Sequence, residues 1–81
     1  MSNNDITSRI EINPRVMAGK PVIKGTRLTV QYIISMLGQG MTEDEILREY
    51  KGLAREDIKA CLVYASQMLD GTILLSIDEA V

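Results

Sequence analysis

The 81-residue sequence contains no histidine, and this absence excludes several kinds of chemistry at once. There is no imidazole to bind a metal ion, to act as a general base or to change charge near neutral pH. The single cysteine, Cys61, excludes a disulfide within the chain and a zinc site built from several thiolates. Because no serine or cysteine has a histidine base to activate it, we expect a protein that is not an enzyme. We also expect it to bind no cofactor or metal.

Aromatic residues and long apolar runs are also scarce. With three tyrosines and neither phenylalanine nor tryptophan, the core must be built from aliphatic side chains and methionine. No apolar run approaches the roughly 20 residues that a membrane-spanning helix needs, and the first five residues lack the basic and apolar regions of a signal peptide. We therefore expect a cytoplasmic protein without membrane contact. A domain of this length buries only roughly 60–65% of its unfolded surface, so a homodimer or another partner is the expected supplement to its core.

Acidic and basic residues are unevenly distributed along the chain. Residues 1–27 contain five basic and two acidic side chains, whereas residues 28–81 contain four basic and nine acidic ones. The basic third includes Lys20, Lys24 and Arg27, which a hairpin would present to a polyanion such as DNA. A solvated surface of mixed sign is the alternative, and the charge alone does not decide between the two.

The first third of the domain predicts short strands rather than helices. Residues 9–13 alternate apolar and polar side chains, as a half-buried strand does. Residues 16–28 predict one or two further short strands, with tight turns at Gly19 and Gly25. Because Thr26 and not a lysine follows Gly25, the segment is not the phosphate-binding loop of a nucleotide site.

Three helices are predicted to follow, so the expected fold is mainly α with a short N-terminal hairpin. The first helix begins after the capping residue Thr29, and the second begins at a capping box formed by Thr42 and Glu45. The third runs over residues 55–70. Apolar residues at helical spacing are predicted to face the core: Val30, Ile33, Ile34 and Leu37 in the first helix, Ile46, Leu47 and Tyr50 in the second, and Ile58, Cys61, Leu62, Ala65, Met68 and Leu69 in the third.

The third helix carries two further predictions. Its expected capping position, Ala54, has no side chain that accepts a hydrogen bond, so Ala54→Ser is expected to stabilise the protein. The helix also has a second, semi-apolar face that a small core does not fully bury, which favours a protein partner. This face consists of Ala60, Val63, Tyr64 and Gln67.

The second and third helices match a helix-turn-helix motif in part. If the third helix entered a DNA groove, Arg55 and Lys59 would be its reading residues, one turn apart on its exposed side. Glu56 and Asp57 would repel phosphate groups there, and they also suit the first turn of an ordinary surface helix. Both interpretations stay open.

Four runs of the chain follow one another in a characteristic order: Gly19-Lys20-Pro21-Val22-Ile23-Lys24-Gly25-Thr26-Arg27-Leu28-Thr29-Val30, Gly40-Met41-Thr42-Glu43-Asp44-Glu45-Ile46, Leu53-Ala54-Arg55-Glu56-Asp57-Ile58 and Ala60-Cys61-Leu62-Val63-Tyr64-Ala65. In these runs the chain resembles a small prokaryotic family named domain of unknown function 433. The resemblance covers roughly residues 9–66, and its glycine-rich signature is its most specific part.

The resemblance implies a homeodomain-like helix-turn-helix fold and an antitoxin function, since many members are described as antitoxins paired with a PIN-like ribonuclease toxin. The leading hypothesis is accordingly a non-enzymatic antitoxin that forms a homodimer, neutralises such a toxin and binds double-stranded DNA as an autoregulator. The alternative is a dimeric protein-interaction module that does not bind DNA.

The predicted organisation is a flexible N-terminus over residues 1–8, a single domain over residues 9–70 and a C-terminal tail over residues 71–81. Within the tail, residues 72–77 predict a strand that binds the toxin or completes a dimer by adding to the edge of a sheet. Packing against the chain's own core is the alternative. The tail residues predicted to contact a partner are Thr72, Ile73, Leu74, Leu75 and Ile77.

Overall fold

A short antiparallel pair of strands precedes three helices in the computed structural model, which describes residues 6–69. This confirms the predicted mainly α fold with an N-terminal pair of strands. No helix within residues 6–69 is both long and apolar enough to cross a membrane. The predicted strand over residues 72–77 lies outside the described residues. In chain order the elements are strand β1 (Ile10–Glu11), a 3-10 turn (Met17–Gly19), strand β2 (Val22–Ile23), helix α1 (Val30–Gly38), helix α2 (Glu43–Glu49) and helix α3 (Arg55–Leu69).

The strand pair is shorter than the alternating pattern over residues 9–13 predicts. Ile10 pairs with Ile23 and Glu11 pairs with Val22. The next residue in this antiparallel register, Ile12, would face Pro21, but the paired residues end with Glu11 and Val22. Ile12 lies beyond the pairing, and its side chain is 60% exposed.

The segment 16–28 contains one strand and one 3-10 turn. Gly19 and Gly25 have positive φ angles of 82° and 78°, which confirms the predicted turns at these two glycines. Met17 and Ala18 also adopt left-handed φ angles, of 51° and 56°. Non-glycine residues seldom occupy this region, so the loop between the two strands holds two strained residues in succession.

The starts of α1 and α2 are set by the capping residues that the sequence predicts. The side chain of Thr29 accepts a hydrogen bond from the backbone N–H of Tyr32 at 3.0 Å. At α2, the Thr42 hydroxyl accepts from the N–H of Glu45 at 3.1 Å, and the Glu45 carboxylate accepts from the N–H of Thr42 at 2.8 Å. Both halves of the capping box are therefore present.

The core lies where the three helices meet β2. Each element contributes aliphatic side chains with almost no exposed surface, as the scarcity of aromatic residues predicts. The largest fully buried side chains are those of Ile23, Ile33, Ile46, Ile58, Val22 and Cys61.

Helix α3 is buried over only part of its predicted apolar stripe. Ile58 and Cys61 are fully buried, but Leu62, Met68 and Leu69 are 43%, 62% and 51% exposed. The prediction that these last three residues face the core is wrong. Leu62 lies about 100° around the helix from Cys61 and so leaves the core face. Met68 and Leu69 lie in the second half of α3, which has no fully buried residue after Cys61.

The second face predicted for α3 is also only partly correct. Ala60, which was expected to be incompletely buried, has no exposed surface. Val63 and Tyr64 are half-buried and Gln67 is exposed. The most exposed apolar residues at the end of this helix are therefore Met68 and Leu69, and not the residues of the predicted second face.

The first turn of α3 has half of a capping box. The N–H of Ala54 donates to the Asp57 carboxylate at 2.9 Å, but the alanine offers no side-chain oxygen in return. We expect Ala54→Ser to raise the free energy of unfolding by about 0.5–1 kcal/mol, because its hydroxyl can accept a hydrogen bond within the first turn of α3. The N–H of Asp57 already donates to the carbonyl of Ala54 at 3.0 Å and would be shared with the hydroxyl. Thermal and urea unfolding would measure the gain. Thr42→Ala is the reverse change at α2 and should lower stability by about 0.5–2 kcal/mol. No gain from Ala54→Ser would contradict this assignment of the helix start.

Candidate functional site

The basic residues proposed to contact DNA lie in three different settings. Lys20 is on the rim of an apolar groove between α1 and α3. Lys24 and Arg27 belong to the turn that follows β2. Arg55 and Lys59 line a hollow of about 360 Å³ beside the start of α2. From the sequence all five are equivalent candidates for DNA contact, whereas in the structure their surroundings differ.

Arg55 is held by two carboxylates on the neighbouring helix. Its Nη1 donates to Glu43 Oε1 at 2.8 Å, and its Nη2 donates to Asp44 Oδ1 at 2.7 Å. The hydrogen bond from Arg55 lowers the pKa of Asp44, and the hydrogen bonds to Asp44 and Glu43 raise the pKa of Arg55. The two carboxylates neutralise this guanidinium, so a phosphate group would have to compete with them for it.

Lys59 shares the same hollow, whose lining has acidic, basic and apolar side chains. Glu43 and Glu56 lie there with Arg55 and Lys59, together with the apolar Ile6 and Leu62. This surface has no excess of positive charge, which a DNA-reading surface needs. The sequence alone predicts that Glu56 would repel a DNA phosphate here. It does not reveal Glu43 and Asp44, which are 12 and 11 residues away from Arg55.

The turn after β2 presents its cations without neutralising partners. The Thr26 hydroxyl donates to the carbonyl of Ile23 at 2.8 Å and accepts from the N–H of Leu28 at 3.0 Å. These bonds hold the turn on which Lys24 and Arg27 are exposed. Within residues 6–69, neither side chain forms an ion pair. The turn therefore offers two cations on an ordered backbone.

An apolar groove of about 490 Å³ lies between α1 and α3. One wall is the first half of α1, and the other is the second half of α3, including Met68 and Leu69. Of the residues predicted to contact DNA only Lys20 lines it, and of the semi-apolar face predicted for α3 only Tyr64 does. The exposed half of the apolar stripe of α3 forms one wall. The lining residues are Lys20, Pro21, Thr29, Val30, Gln31, Ile34, Ser35, Tyr64, Ala65, Met68 and Leu69.

Asp57 has a structural role at the opposite end of α3. Its Oδ1 accepts from Arg9 Nη1 at 2.9 Å, while its Oδ2 accepts from the N–H of Ala54. The Asp57 side chain is 10% exposed and that of Arg9 is 43% exposed. One carboxylate therefore caps α3 and also ties it to the segment leading into β1. No local pattern reveals this contact, because its two residues are 48 positions apart.

Cys61 is enclosed, as its place in an apolar stripe predicts. Burial raises the pKa of its thiol to about 12, and the charge of Asp57 acts in the same direction. The thiol is thus protonated near neutral pH, and a protonated thiol is a poor nucleophile. Within residues 6–69, no three cysteine, aspartate or glutamate side chains are placed to hold a metal ion together.

Comparison with known proteins places the fold in a family. Residues 10–65 match the family described as "Protein of unknown function (DUF433)". The chain belongs to this family. It is similar to a DUF433 member protein from Anabaena variabilis ATCC 29413, whose crystal structure was determined at 2.00 Å resolution, with 28% sequence identity and a TM-score of 0.73. That similarity covers 96% of this chain and 74% of the other. No curated protein has significant sequence similarity to the chain.

The family match includes only part of the groove of this DUF433 protein. The matched residues 10–65 contain both strands, α1, α2 and the first part of α3. They include Lys20, Lys24 and Arg27. Met68 and Leu69, the two most exposed apolar residues of the groove, lie beyond the match. The basic turn is thus within the family range, while one wall of the groove extends past it.

Proposed function

We propose that this DUF433 protein is a non-catalytic antitoxin that neutralises a PIN-like ribonuclease. The partner inserts an apolar segment into the groove between α1 and α3, and the tail segment 72–77 extends the contact by pairing with the partner. The groove carries this proposal, because an exposed apolar hollow on a small domain is typical of a surface that binds another polypeptide. The identity of the partner rests on the family resemblance.

Two exposed apolar residues of α3 provide a matched test of the groove. Met68 lines it, whereas Leu62 lies outside it. A tagged form of the protein would be used to recover its partner from a nuclease-treated lysate of its host, with identification by mass spectrometry. We expect stoichiometric recovery of a small ribonuclease whose activity is inhibited by the parent protein and by Leu62→Glu. Met68→Glu should abolish the inhibition, because it introduces a charge into an apolar contact.

The same experiment can contradict the proposal in two ways. Recovery of the bait alone would argue against an antitoxin, and sedimentation of the purified protein as a dimer would then favour the interaction-module alternative. Full inhibition of the ribonuclease by Met68→Glu would show that the groove is not the surface that binds it. Circular dichroism of both variants would establish that each remains folded.

The unpaired cations of the turn after β2 favour a second activity. We propose that Lys24 and Arg27, with Lys20, contact the phosphates of duplex DNA and let the protein act as an autoregulator. In this arrangement the turn approaches the DNA backbone, while Arg55 keeps its ion pairs with α2. The mixed charge around Arg55 and Lys59 makes α3 the weaker candidate for a helix-turn-helix recognition helix.

The salt dependence of binding tests this second activity. Each phosphate contact contributes about 0.9 to the slope of log affinity against log salt concentration. Lys24→Ala and Arg27→Ala should each reduce that slope on the protein's own upstream duplex by about this amount. Arg55→Ala is the control and should leave the slope unchanged. If the protein binds no duplex even at low salt, the DNA-binding proposal is wrong.

A further inference from the structure

The apolar groove continues the core-facing stripe of α3. Ile58, Cys61, Ala65 and Met68 follow one another at spacings of three, four and three residues, which places them on one face of the helix. Ile58 and Cys61 are fully buried, but Met68 is 62% exposed. The face that makes the core in the first half of the helix therefore lacks a cover in its second half, as far as residues 6–69 are concerned.

We propose that the chain's own segment Thr72–Ile77 occupies this groove in the free protein. If the segment is extended, Ile73, Leu75 and Ile77 share one side, because alternate side chains of a strand point in the same direction. The three aliphatic residues fill the groove, and the segment covers the exposed half of the α3 stripe. This proposal concerns the free protein and does not depend on an antitoxin function. If a partner does bind the groove, it must first displace the segment.

The segment starts close enough to reach the groove. Leu69 lines the groove and is followed by only Asp70 and Gly71 before Thr72. Glycine at position 71 permits the reversal of direction that is needed. Six extended residues span about 20 Å. The groove-lining parts of α1 (30–35) and α3 (64–69) are each about 8 Å long at a helical rise of 1.5 Å per residue, so the segment is long enough to cross them.

The volume and polarity of the groove also fit the segment. At about 490 Å³ it has room for three aliphatic side chains, since a cavity of about 150 Å³ takes one benzene-sized group. Three such residues, Ile73, Leu75 and Ile77, are available at alternate positions. Burial of each contributes favourably because apolar surface leaves water on both the segment and the groove.

The charges at the two ends of the segment complement the rim. Lys20 is exposed on the rim and has no ion pair within residues 6–69. Asp70 precedes the apolar segment, and Asp78 and Glu79 follow it. The segment therefore has a carboxylate at each end. Whichever way it runs across the groove, one end brings a negative charge towards Lys20. The N-terminal end of α1, whose helix dipole favours negative charge, forms the same part of the wall.

A second copy of the protein is a poorer occupant. A symmetric dimer with its two-fold axis at the groove would place the groove against the identical groove of the partner. Two concave surfaces cannot fill each other, so the hollow would remain. The groove also has 11 lining residues, whereas a standard interface uses about 20–30 residues on each side. A short segment of the same chain requires no such area.

Thiol labelling of the full-length chain can measure whether the groove is covered. Met68→Cys introduces a thiol inside the groove, and Gln67→Cys introduces one on the neighbouring exposed position outside it. Cys61 gives little background, because burial raises its pKa to about 12. We expect the thiol of Met68→Cys to react with a disulfide reagent about ten-fold more slowly than that of Gln67→Cys, because the segment must open first.

Two substitutions in the tail form a matched pair. Leu75→Asp, combined with Met68→Cys, should raise the labelling rate to that of Gln67→Cys, because a charge is excluded from the apolar groove. Leu74→Asp lies on the other side of the alternation and should leave the protection intact. In each variant, continued protection of Cys61 shows that the core has remained closed.

Two results would overturn the proposal. Equal labelling rates for Met68→Cys and Gln67→Cys in the parent chain would show that the groove is uncovered. Protection that increases with protein concentration would show that the occupant comes from a second copy. Neither result bears on inhibition of a ribonuclease, so the antitoxin proposal is tested separately.

Discussion

Replacing Ile46 by alanine is expected to lower the free energy of unfolding by about 2–5 kcal/mol. Ile46 is the fully buried residue of α2 and has no exposed surface. It joins this seven-residue helix to the core beside Ile33 and Ile58. A chain of this length has a total stability of only about 4–12 kcal/mol, so the loss is a large fraction of the whole. Urea unfolding followed by circular dichroism would measure it.

Two further variants show whether the loss comes from burial at Ile46. Ile46→Val removes one methylene group and should cost about 0.5–1.5 kcal/mol. Leu62→Ala removes more volume from the surface of α3 and should cost about 1 kcal/mol or less, since the side chain is 43% exposed. If Ile46→Ala cost no more than Leu62→Ala, α2 would not be anchored to the core through this residue.

Asp57→Ala is expected to lower the free energy of unfolding by about 2 kcal/mol. Loss of a capping interaction costs about 1 kcal/mol, and loss of a partly buried hydrogen bond between charged groups adds about 1 kcal/mol more. Asp57 makes both contacts, with Ala54 and with Arg9. The Arg9 side chain is 43% exposed and can return to water, which keeps the cost below that of breaking a fully buried ion pair.

A double-mutant cycle separates the two contacts of Asp57. Arg9→Met removes the ion pair alone and should cost less than Asp57→Ala. In the Arg9→Met background, Asp57→Ala should cost only the remaining capping contribution. Equal costs of Asp57→Ala in the two backgrounds would mean that the Arg9 contact contributes nothing to stability. Chemical unfolding of the four proteins provides all the values.

The helices are predicted well wherever the signal is local. Thr29, Thr42 and Glu45 bond to residues three positions away, so the sequence alone identifies the starts of α1 and α2. The length of the strand pair depends instead on which residue lies opposite. Ile12 has the apolar character of a strand residue, but β2 begins only at Val22, so Ile12 has no residue of that strand opposite it.

The candidate site is predicted less well because it depends on contacts between elements. Arg55 has the position of a DNA-reading residue on α3, and only the packing of α2 beside it reveals Glu43 and Asp44 as its partners. Met68 and Leu69 continue the apolar spacing of α3, and the sequence cannot tell that α1 covers so little of them. The exposed positions of Lys24 and Arg27 follow the glycine-rich turn, which the sequence does predict.

The enclosure of Cys61 has a consequence for the redox behaviour of the protein. At a pKa of about 12 the folded chain holds far less thiolate than an ordinary cysteine, and thiol–disulfide exchange proceeds through the thiolate. Cys61 is also the sole cysteine in the sequence. Cys61 in the folded protein is therefore expected to exchange slowly with glutathione. A disulfide-linked dimer on a non-reducing gel would therefore indicate molecules whose core had unfolded, and not a native dimer.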